Sequence, residues 1–188
     1  MTWNQHFYRS MALKTKVSFW LIPSEEDRAF FQDIIDTLAK EYDAPVFTPH
    51  VTIYSGEYTP EESPTELLKN AIQGIQSLSL RVDKLLYTDQ FTKTLFVQFY
   101  PNSILTQISE TLHNRSKNPS EFALNPHLSL IYQYLNEEIK KKLITQLSLP
   151  KSEVCFNEVR AISTRNQVKG WEDVASWEVI DIRRLQQP

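Results

Sequence analysis

Two segments of this chain carry the same residue pattern: Pro49-His50-Val51-Thr52-Ile53-Tyr54 and Pro126-His127-Leu128-Ser129-Leu130-Ile131-Tyr132. Each begins with a proline and a histidine, followed by an aliphatic residue, a hydroxyl residue and a second aliphatic residue. Because side chains alternate between the two faces of a β-strand, each histidine shares a face with the hydroxyl two positions later. The pattern therefore predicts two strands that bury their aliphatic residues and present an imidazole and a hydroxyl on the other side.

The secondary structure predicted around these segments also repeats. Hydrophobic periodicity and turn residues predict strand, helix, histidine strand, helix and strand, in that order, in each half of the chain. A repeated order of elements indicates an internal duplication. The first set covers residues 16–22, 24–42, 47–54, 59–75 and 79–87; the second covers 94–100, 103–115, 126–132, 136–147 and 154–163, and a last strand follows at 176–182.

The duplication predicts an α+β fold with two lobes, in which two mostly antiparallel sheets face a central groove and the helices lie outside. We expect residues 15–188 to form one bilobal catalytic domain, with pseudo-symmetric halves at about 15–90 and 91–188. Residues 1–14 are expected to form an N-terminal extension. A pseudo-twofold relation between the halves would bring both histidine strands to the same groove.

The composition of the chain excludes several classes of protein. A hydrophobic content of 41% suits a sizeable core, and a formal charge of -3 argues against a broad basic face for nucleic acid. The single cysteine, Cys155, cannot form an internal disulfide. No apolar run reaches the roughly 20 residues that span a bilayer, and residues 1–16 lack the apolar stretch of a secretory signal. We therefore expect a cytoplasmic monomer that binds neither membranes nor nucleic acid stably.

Two histidines and two hydroxyls on one groove suit the opening of a cyclic phosphodiester. One imidazole can take the proton of an attacking water while the other protonates the leaving oxygen, and each transfer contributes about 10²- to 10⁴-fold in rate. The hydroxyls of Thr52 and Ser129 can donate to phosphoryl oxygens. The scheme needs no metal and no other cofactor, and two histidines without a nearby carboxylate are an incomplete zinc site. One such strand alone would favour a structural histidine, but the repeat favours catalysis by His50 and His127.

The chain resembles the two-histidine phosphoesterase superfamily, which is defined by two His-x-Thr/Ser motifs in a duplicated bilobal α+β fold. Within it, the sequence is most similar to the plant-type cyclic nucleotide phosphodiesterases. The likeness runs from about residue 16 and rests on four segments. These are Ser18-Phe19-Trp20-Leu21-Ile22-Pro23, Phe47-Thr48-Pro49-His50-Val51-Thr52, Pro126-His127-Leu128-Ser129-Leu130-Ile131-Tyr132 and Trp177-Glu178-Val179.

The resemblance implies a role for each matching residue. His127 would activate water and His50 would protonate the leaving oxygen, with Thr52 and Ser129 holding the phosphate; Trp20 and Tyr132 would line the pocket and contact the sugar or base. Strand alternation from His127 places Tyr132 on the opposite face, unless the strand bulges or ends there. Plant members carry several cysteines that can pair, whereas this chain has only Cys155.

The resemblance also implies the substrates. Family members convert ADP-ribose 1'',2''-cyclic phosphate to ADP-ribose 1''-phosphate, and nucleoside 2',3'-cyclic phosphates to 2'-phosphates, and we expect the same small cyclic nucleotides here. Two alternatives remain open. An RNA-end-processing phosphodiesterase, acting on cyclic termini or 2'-5' linkages, would need a basic track, and the run Lys140-Lys141-Lys142 is more typical of a solvent-facing helix. A nucleotide-binding module without turnover would keep the pocket but lose the chemistry.

Overall fold

A computed structural model describes residues 14–164 and 167–187. Apart from Lys14, the N-terminal extension expected at residues 1–14 lies outside the described residues. The described chain forms seven strands and five α-helices. In order they are β1 (Thr15–Pro23), α1 (Glu25–Tyr42), β2 (Val51–Tyr58), α2 (Pro64–Ala71), β3 (Leu78–Tyr87), β4 (Leu95–Phe99), α3 (Ser103–Arg115), β5 (His127–Ile131), α4 (Glu137–Gln146), β6 (Glu153–Thr164), α5 (Trp171–Ala175) and β7 (Glu178–Arg184). The α+β class and the predicted order of elements are confirmed, except that α5, between β6 and β7, was not predicted.

Local sequence signals set the ends of the helices. Asn102 and Asn136 cap α3 and α4 by accepting hydrogen bonds from backbone amides in the first turn, as short polar residues do at helix starts. Ser24 precedes α1, but its side chain makes no capping bond. Three acidic residues in the first turn instead interact favourably with the positive end of the helix dipole. Helix α1 ends at Tyr42, and the next residue, Asp43, adopts a left-handed conformation with φ of 50°.

The seven strands form one hydrogen-bonded sheet in the order β1-β2-β5-β4-β3-β6-β7, and β6 also pairs with β1. All of the strand pairs are antiparallel. The two separate sheets expected from the duplication are not confirmed. Two pairings join the strands β6-β1-β2 to the strands β5-β4-β3. Val51 in β2 pairs with Leu128 in β5, and the start of β6 pairs with β3.

The two halves of the chain exchange their third strands. β3, from the first half, pairs with β4 of the second half, while β6 pairs with β1 from Phe156 to Thr164. The unit β6-β1-β2 and the unit β5-β4-β3 therefore each contain strands from both halves, and the first of them is not continuous in sequence. This exchange explains how a chain with a repeated order of elements forms one interlocked sheet.

A single large hydrophobic cluster fills the interior behind the sheet. The aliphatic residues of both histidine segments belong to it, since Val51, Ile53, Leu128 and Leu130 are fully buried. Strand alternation thus holds at both motifs and leaves the histidine face on the other side. None of the described helices is both long enough and apolar enough to cross a membrane.

Candidate active site

A cavity of about 320 Å³ lies on the histidine face of the sheet. All six residues singled out in the sequence line it, and they come from three strands and the residues that flank them. They are Trp20, His50, Thr52, His127, Ser129 and Tyr132. The structure therefore brings the two motifs to one site, although they lie in different halves of the chain.

The meeting point of the two motifs is the pair Val51 and Leu128, each of which directly follows its motif histidine. Because this pairing is antiparallel, the two motifs run past each other in opposite directions. Continued by one position, the register sets His50 beside Ser129 and Thr52 beside His127. The arrangement is close to twofold symmetric, with a histidine and a hydroxyl contributed from each side.

His50 is held between a backbone carbonyl and an aromatic ring. Its Nδ1 donates to the carbonyl oxygen of Thr48 at 2.6 Å, and its ring stacks on Trp20 with 3.7 Å between centroids. Only 7% of its surface is exposed. Burial lowers the pKa of His50 to about 4, and the charges of His127 and Arg160 act in the same direction.

His127 has the same backbone partner in the second motif. Its Nδ1 donates to the carbonyl oxygen of Asn125 at 2.7 Å, and its ring meets the edge of Phe96 at 5.4 Å between centroids. The side chain is more exposed than that of His50. Burial also lowers the pKa of His127 to about 4, with a further contribution from the charge of Lys93.

These backbone contacts fix the tautomer of both imidazoles. A carbonyl oxygen can only accept, so each Nδ1 carries a proton and each Nε2 is left for the cavity. A proline separates each histidine from its carbonyl partner, and the residue before a proline is restricted to extended conformations. The repeated Pro-His pair therefore gives both rings the same orientation relative to their own strand.

The two motif hydroxyls differ in what they contact. Ser129 is 5% exposed, and its Oγ donates to the carbonyl oxygen of Thr92 at 2.8 Å. The Thr52 hydroxyl has no hydrogen-bond partner within residues 14–164 and 167–187. Thr52 is thus free to donate to a ligand in the cavity, whereas the Ser129 proton is already engaged.

Trp20 and Tyr132 belong to a cluster of aromatic side chains beside the cavity, of which only these two were predicted as site residues. Trp20 is 5% exposed, with one face against His50 and Trp177 edge-on at 5.0 Å. Tyr132 stacks on Phe47 with 3.7 Å between centroids. It reaches the cavity because β5 ends at Ile131 and its pairing with β4 shifts register just before that end, which breaks the alternation.

Several residues that line the cavity were not predicted as site residues. Lys16 lies on β1, Lys93 comes from a 3₁₀ turn, and Trp177 precedes β7. The indole nitrogen of Trp177 is buried and has no hydrogen-bond partner in the described part of the chain. Trp177 could have been found from its place in the closing Trp-Glu-Val segment, but Lys16 and Lys93 belong to no motif.

The charges of the lining favour an anion. Among the described residues that line the cavity are two lysines, and none is an aspartate or a glutamate. In the same part of the chain, no three His, Cys, Asp or Glu side chains cluster as metal ligands would. With two neutral imidazoles, hydroxyl donors and aromatic faces, the cavity can bind a phosphate joined to a sugar or base and move protons at it.

Comparisons with known proteins agree with this chemistry. The family described as cyclic phosphodiesterase-like protein matches residues 15–185. The cyclic phosphodiesterase of Arabidopsis thaliana is 27% identical over 128 residues, which cover 68% of this chain and 71% of that protein.

Solved structures show the same fold at lower identity. LigT of E. coli in its apo form has a TM-score of 0.58 and 16% identity, covering 93% of this chain and 99% of LigT. TT0787 of Thermus thermophilus has a TM-score of 0.57 and 14% identity, covering 92% of this chain and 98% of TT0787. LigT has also been solved in complexes with 3'-AMP, ATP and NADP+. Since the family match spans almost all of the described residues, this chain belongs to the cyclic phosphodiesterase-like protein family and is a phosphodiesterase.

Proposed function

We propose that this enzyme hydrolyses cyclic phosphodiesters of small nucleotides without a metal ion, using His50 and His127 as its acid-base pair. One observation carries the proposal. Both imidazoles line a single cavity while each Nδ1 is bound to a backbone carbonyl, so both Nε2 atoms are left for the substrate. Two fixed proton carriers on one anion site are what the opening of a phosphate ring requires.

In this mechanism His127 acts as the base and His50 as the acid. His127 takes a proton from water at Nε2, and the water oxygen attacks phosphorus. The bond from phosphorus to one ring oxygen breaks, and that oxygen takes the proton of His50. The greater exposure of His127 supports this order, since the attacking water reaches the cavity from solvent.

The acid must be protonated before it can act, although its pKa is about 4 in the free protein. A bound phosphate anion favours the charged form of both imidazoles and so raises their pKa values. Thr52 would donate directly to a phosphoryl oxygen. Ser129 would do so only by releasing the Thr92 carbonyl.

The substrates we propose are ADP-ribose 1'',2''-cyclic phosphate, giving the 1''-phosphate, and nucleoside 2',3'-cyclic phosphates, giving the 2'-phosphate. Trp20 and Tyr132 supply aromatic surface beside the phosphate site, where a base or sugar would lie. The nucleotide complexes of LigT support a site for small nucleotides in this fold. The cytoplasmic location and the monomeric state stay predictions.

The basic track that an RNA-end-processing enzyme would need is not formed by the run Lys140-Lys141-Lys142. Lys140 is 2% exposed and forms ion pairs with Asp89 and Glu137, so it is not part of a solvent-facing run. Only Lys141 and Lys142 of that run remain exposed. Two lysines on one helix are a short track for an RNA backbone.

A product assay tests the proposal. Purified enzyme in EDTA is incubated with ADP-ribose 1'',2''-cyclic phosphate, each nucleoside 2',3'-cyclic phosphate and a short RNA ending in a cyclic phosphate. We expect the two small substrates to be hydrolysed faster, with the 2'-phosphate as the nucleoside product. Exclusive formation of the 3'-phosphate would contradict the leaving oxygen that we assign. Tight binding without any product would instead support a binding module.

A further inference from the structure

We propose that Lys93 is a direct ligand of the phosphoryl oxygens in this cavity and a substrate-binding residue that the two histidine motifs do not include. The proposal rests on the function proposed above and adds a third anion-binding group to the same site. Three observations support it: the position of Lys93, the hydrogen bond from Ser129 to the carbonyl of Thr92, and the hydrogen bonds that hold the loop containing Thr92 and Lys93.

The position of Lys93 places a cation next to the second histidine. Its Nζ lies 4.4 Å from the centre of the Phe96 ring, and the same ring meets His127 at 5.4 Å between centroids. Lys93 and His127 both line the cavity. The Phe96 ring therefore holds the ammonium on the side of the site where the base acts.

The hydrogen bond made by Thr92, the residue before Lys93, explains why a cation is needed beside the second motif. The carbonyl oxygen of Thr92 accepts the proton of Ser129, so the hydroxyl of the second motif does not donate into the cavity. The first motif keeps its donor, because Thr52 is unengaged within the described residues. Lys93 supplies a donor on the side of the second motif, where its full positive charge takes the place of the Ser129 hydroxyl dipole.

The loop that carries Lys93 is held by its own hydrogen bonds. The Thr88 hydroxyl donates to the carbonyl of Lys93 at 2.6 Å, and the Lys93 amide donates to the carbonyl of Gln90 at 2.9 Å. Thr94 is 1% exposed, and its hydroxyl donates to the same Gln90 carbonyl at 3.0 Å. Lys140 pairs with Asp89 at the start of the loop. Backbone this well fixed can keep an ammonium in place before a ligand arrives.

The electrostatic state of Lys93 fits an anion ligand. Within residues 14–164 and 167–187 no carboxylate pairs with it, and partial burial lowers its pKa from the usual lysine value. A cation that has lost part of its hydration and lacks a counter-ion gains most from a bound phosphate. Packing against Phe96 alone is the competing explanation, and it predicts no effect on phosphate binding.

The experiment compares Lys93→Met, which keeps the stem on Phe96, with Lys93→Arg, which keeps the charge. Lys142→Met, on the exposed face of α4, is the matched control. Inorganic phosphate is titrated into each protein, and binding is followed by the NMR signal of the His127 ring. We expect Lys93→Met to weaken phosphate binding by at least about tenfold, Lys93→Arg to recover part of it and Lys142→Met to match the wild type.

Turnover of a nucleoside 2',3'-cyclic phosphate gives the second readout. Loss of one preorganised donor to a developing oxyanion costs about 10²- to 10³-fold, so kcat/KM of Lys93→Met should fall by that order. The pKa of His127 should rise in the same variant, because one of the charges that lowers it is gone. Wild-type phosphate affinity in Lys93→Met overturns the proposal, even if the pKa of His127 rises. If wild-type enzyme hydrolyses nothing, the proposed function fails, while the phosphate titration still decides the role of Lys93.

Discussion

The imidazole of His50 lies flat on the indole of Trp20, with 3.7 Å between ring centroids and 10° between ring planes. Trp20 lies in β1 and His50 directly precedes the adjacent strand β2; both side chains line one cavity, and both are more than nine-tenths buried. Trp20 thus excludes water from one face of the imidazole and favours its neutral form. If His50 is the acid, as proposed, this contact gives Trp20 a role in setting the pKa of that acid, in addition to any contact with a sugar or base.

Replacing Trp20 should change the proton affinity of His50. In Trp20→Phe a smaller ring covers the imidazole, so water reaches it and the pKa of His50 rises from about 4 toward the ordinary value of 6.5. We expect a moderate loss of kcat and a loss of stability of about 1–3 kcal/mol from the smaller core side chain. NMR titration of the His50 ring measures the pKa directly. An unchanged pKa would show that the stack does not control it.

The two hydroxyls should contribute unequally to catalysis. Thr52→Val keeps the shape of the side chain and removes a free donor, so kcat/KM should fall by about 10²- to 10³-fold. Ser129→Ala should cost less in rate but about 1 kcal/mol in stability, because the Thr92 carbonyl loses its donor. Steady-state kinetics and urea unfolding of both variants check this. Equal losses of rate would mean that Ser129 releases Thr92 and binds phosphate as Thr52 does.

The rate should depend on pH on the acid side of neutrality. The base must be neutral and the acid protonated, and kcat/KM reports the free enzyme, in which both pKa values are about 4. The profile of kcat/KM should therefore be a narrow bell that peaks well below the ordinary histidine pKa of 6.5. Its two limbs report apparent pKa values of the coupled pair and not of either histidine alone. Bound phosphate raises both pKa values, so the optimum of kcat should lie at a higher pH. A kcat/KM that stays constant from about pH 4 to 7 would contradict this.

The same shifts should make the folded state sensitive to acid. Between pH 4 and 6.5 an unfolded histidine is protonated while the folded His50 and His127 stay neutral, so the unfolded chain binds more protons. Stability then rises with pH across this window and is lost as the pH falls, by about 3 kcal/mol per histidine at most. Urea unfolding at several pH values measures the slope. His50→Asn should reduce it and His113→Asn, outside the cavity, should not; an equal slope in all three proteins would disprove the linkage.

The histidine pair could be predicted from sequence because strand alternation is a local property. Val51 and Leu128 point into the core and the histidines point away, as the pattern of apolar residues requires. To predict that Tyr132 lines the cavity, one must know where β5 ends, and strand alternation does not give that end. The prediction of a solvent-facing Lys140 was wrong, because its side chain is buried and pairs with Asp89 of a distant loop.

The rest of the site depends on contacts between distant segments. Ser129 donates to Thr92, and Lys93 reaches the cavity through a turn whose hydrogen bonds are formed by neighbouring threonines. Nothing in the pattern around Lys93 distinguishes it from any other lysine near a strand. The single sheet was also not predictable from element order, since the exchange of β3 and β6 appears only in the pairing.

The central claim is that His50 and His127 transfer protons at one phosphate. Its most direct test is single-turnover hydrolysis of a nucleoside 2',3'-cyclic phosphate in EDTA by the wild type, His50→Asn, His127→Asn and the double variant. We predict that each single variant loses about 10²- to 10⁴-fold in rate while it still folds and binds the substrate. The double variant should lose little more, because the pair acts as a unit. A single variant that retains wild-type turnover, or turnover that EDTA abolishes, would contradict the account.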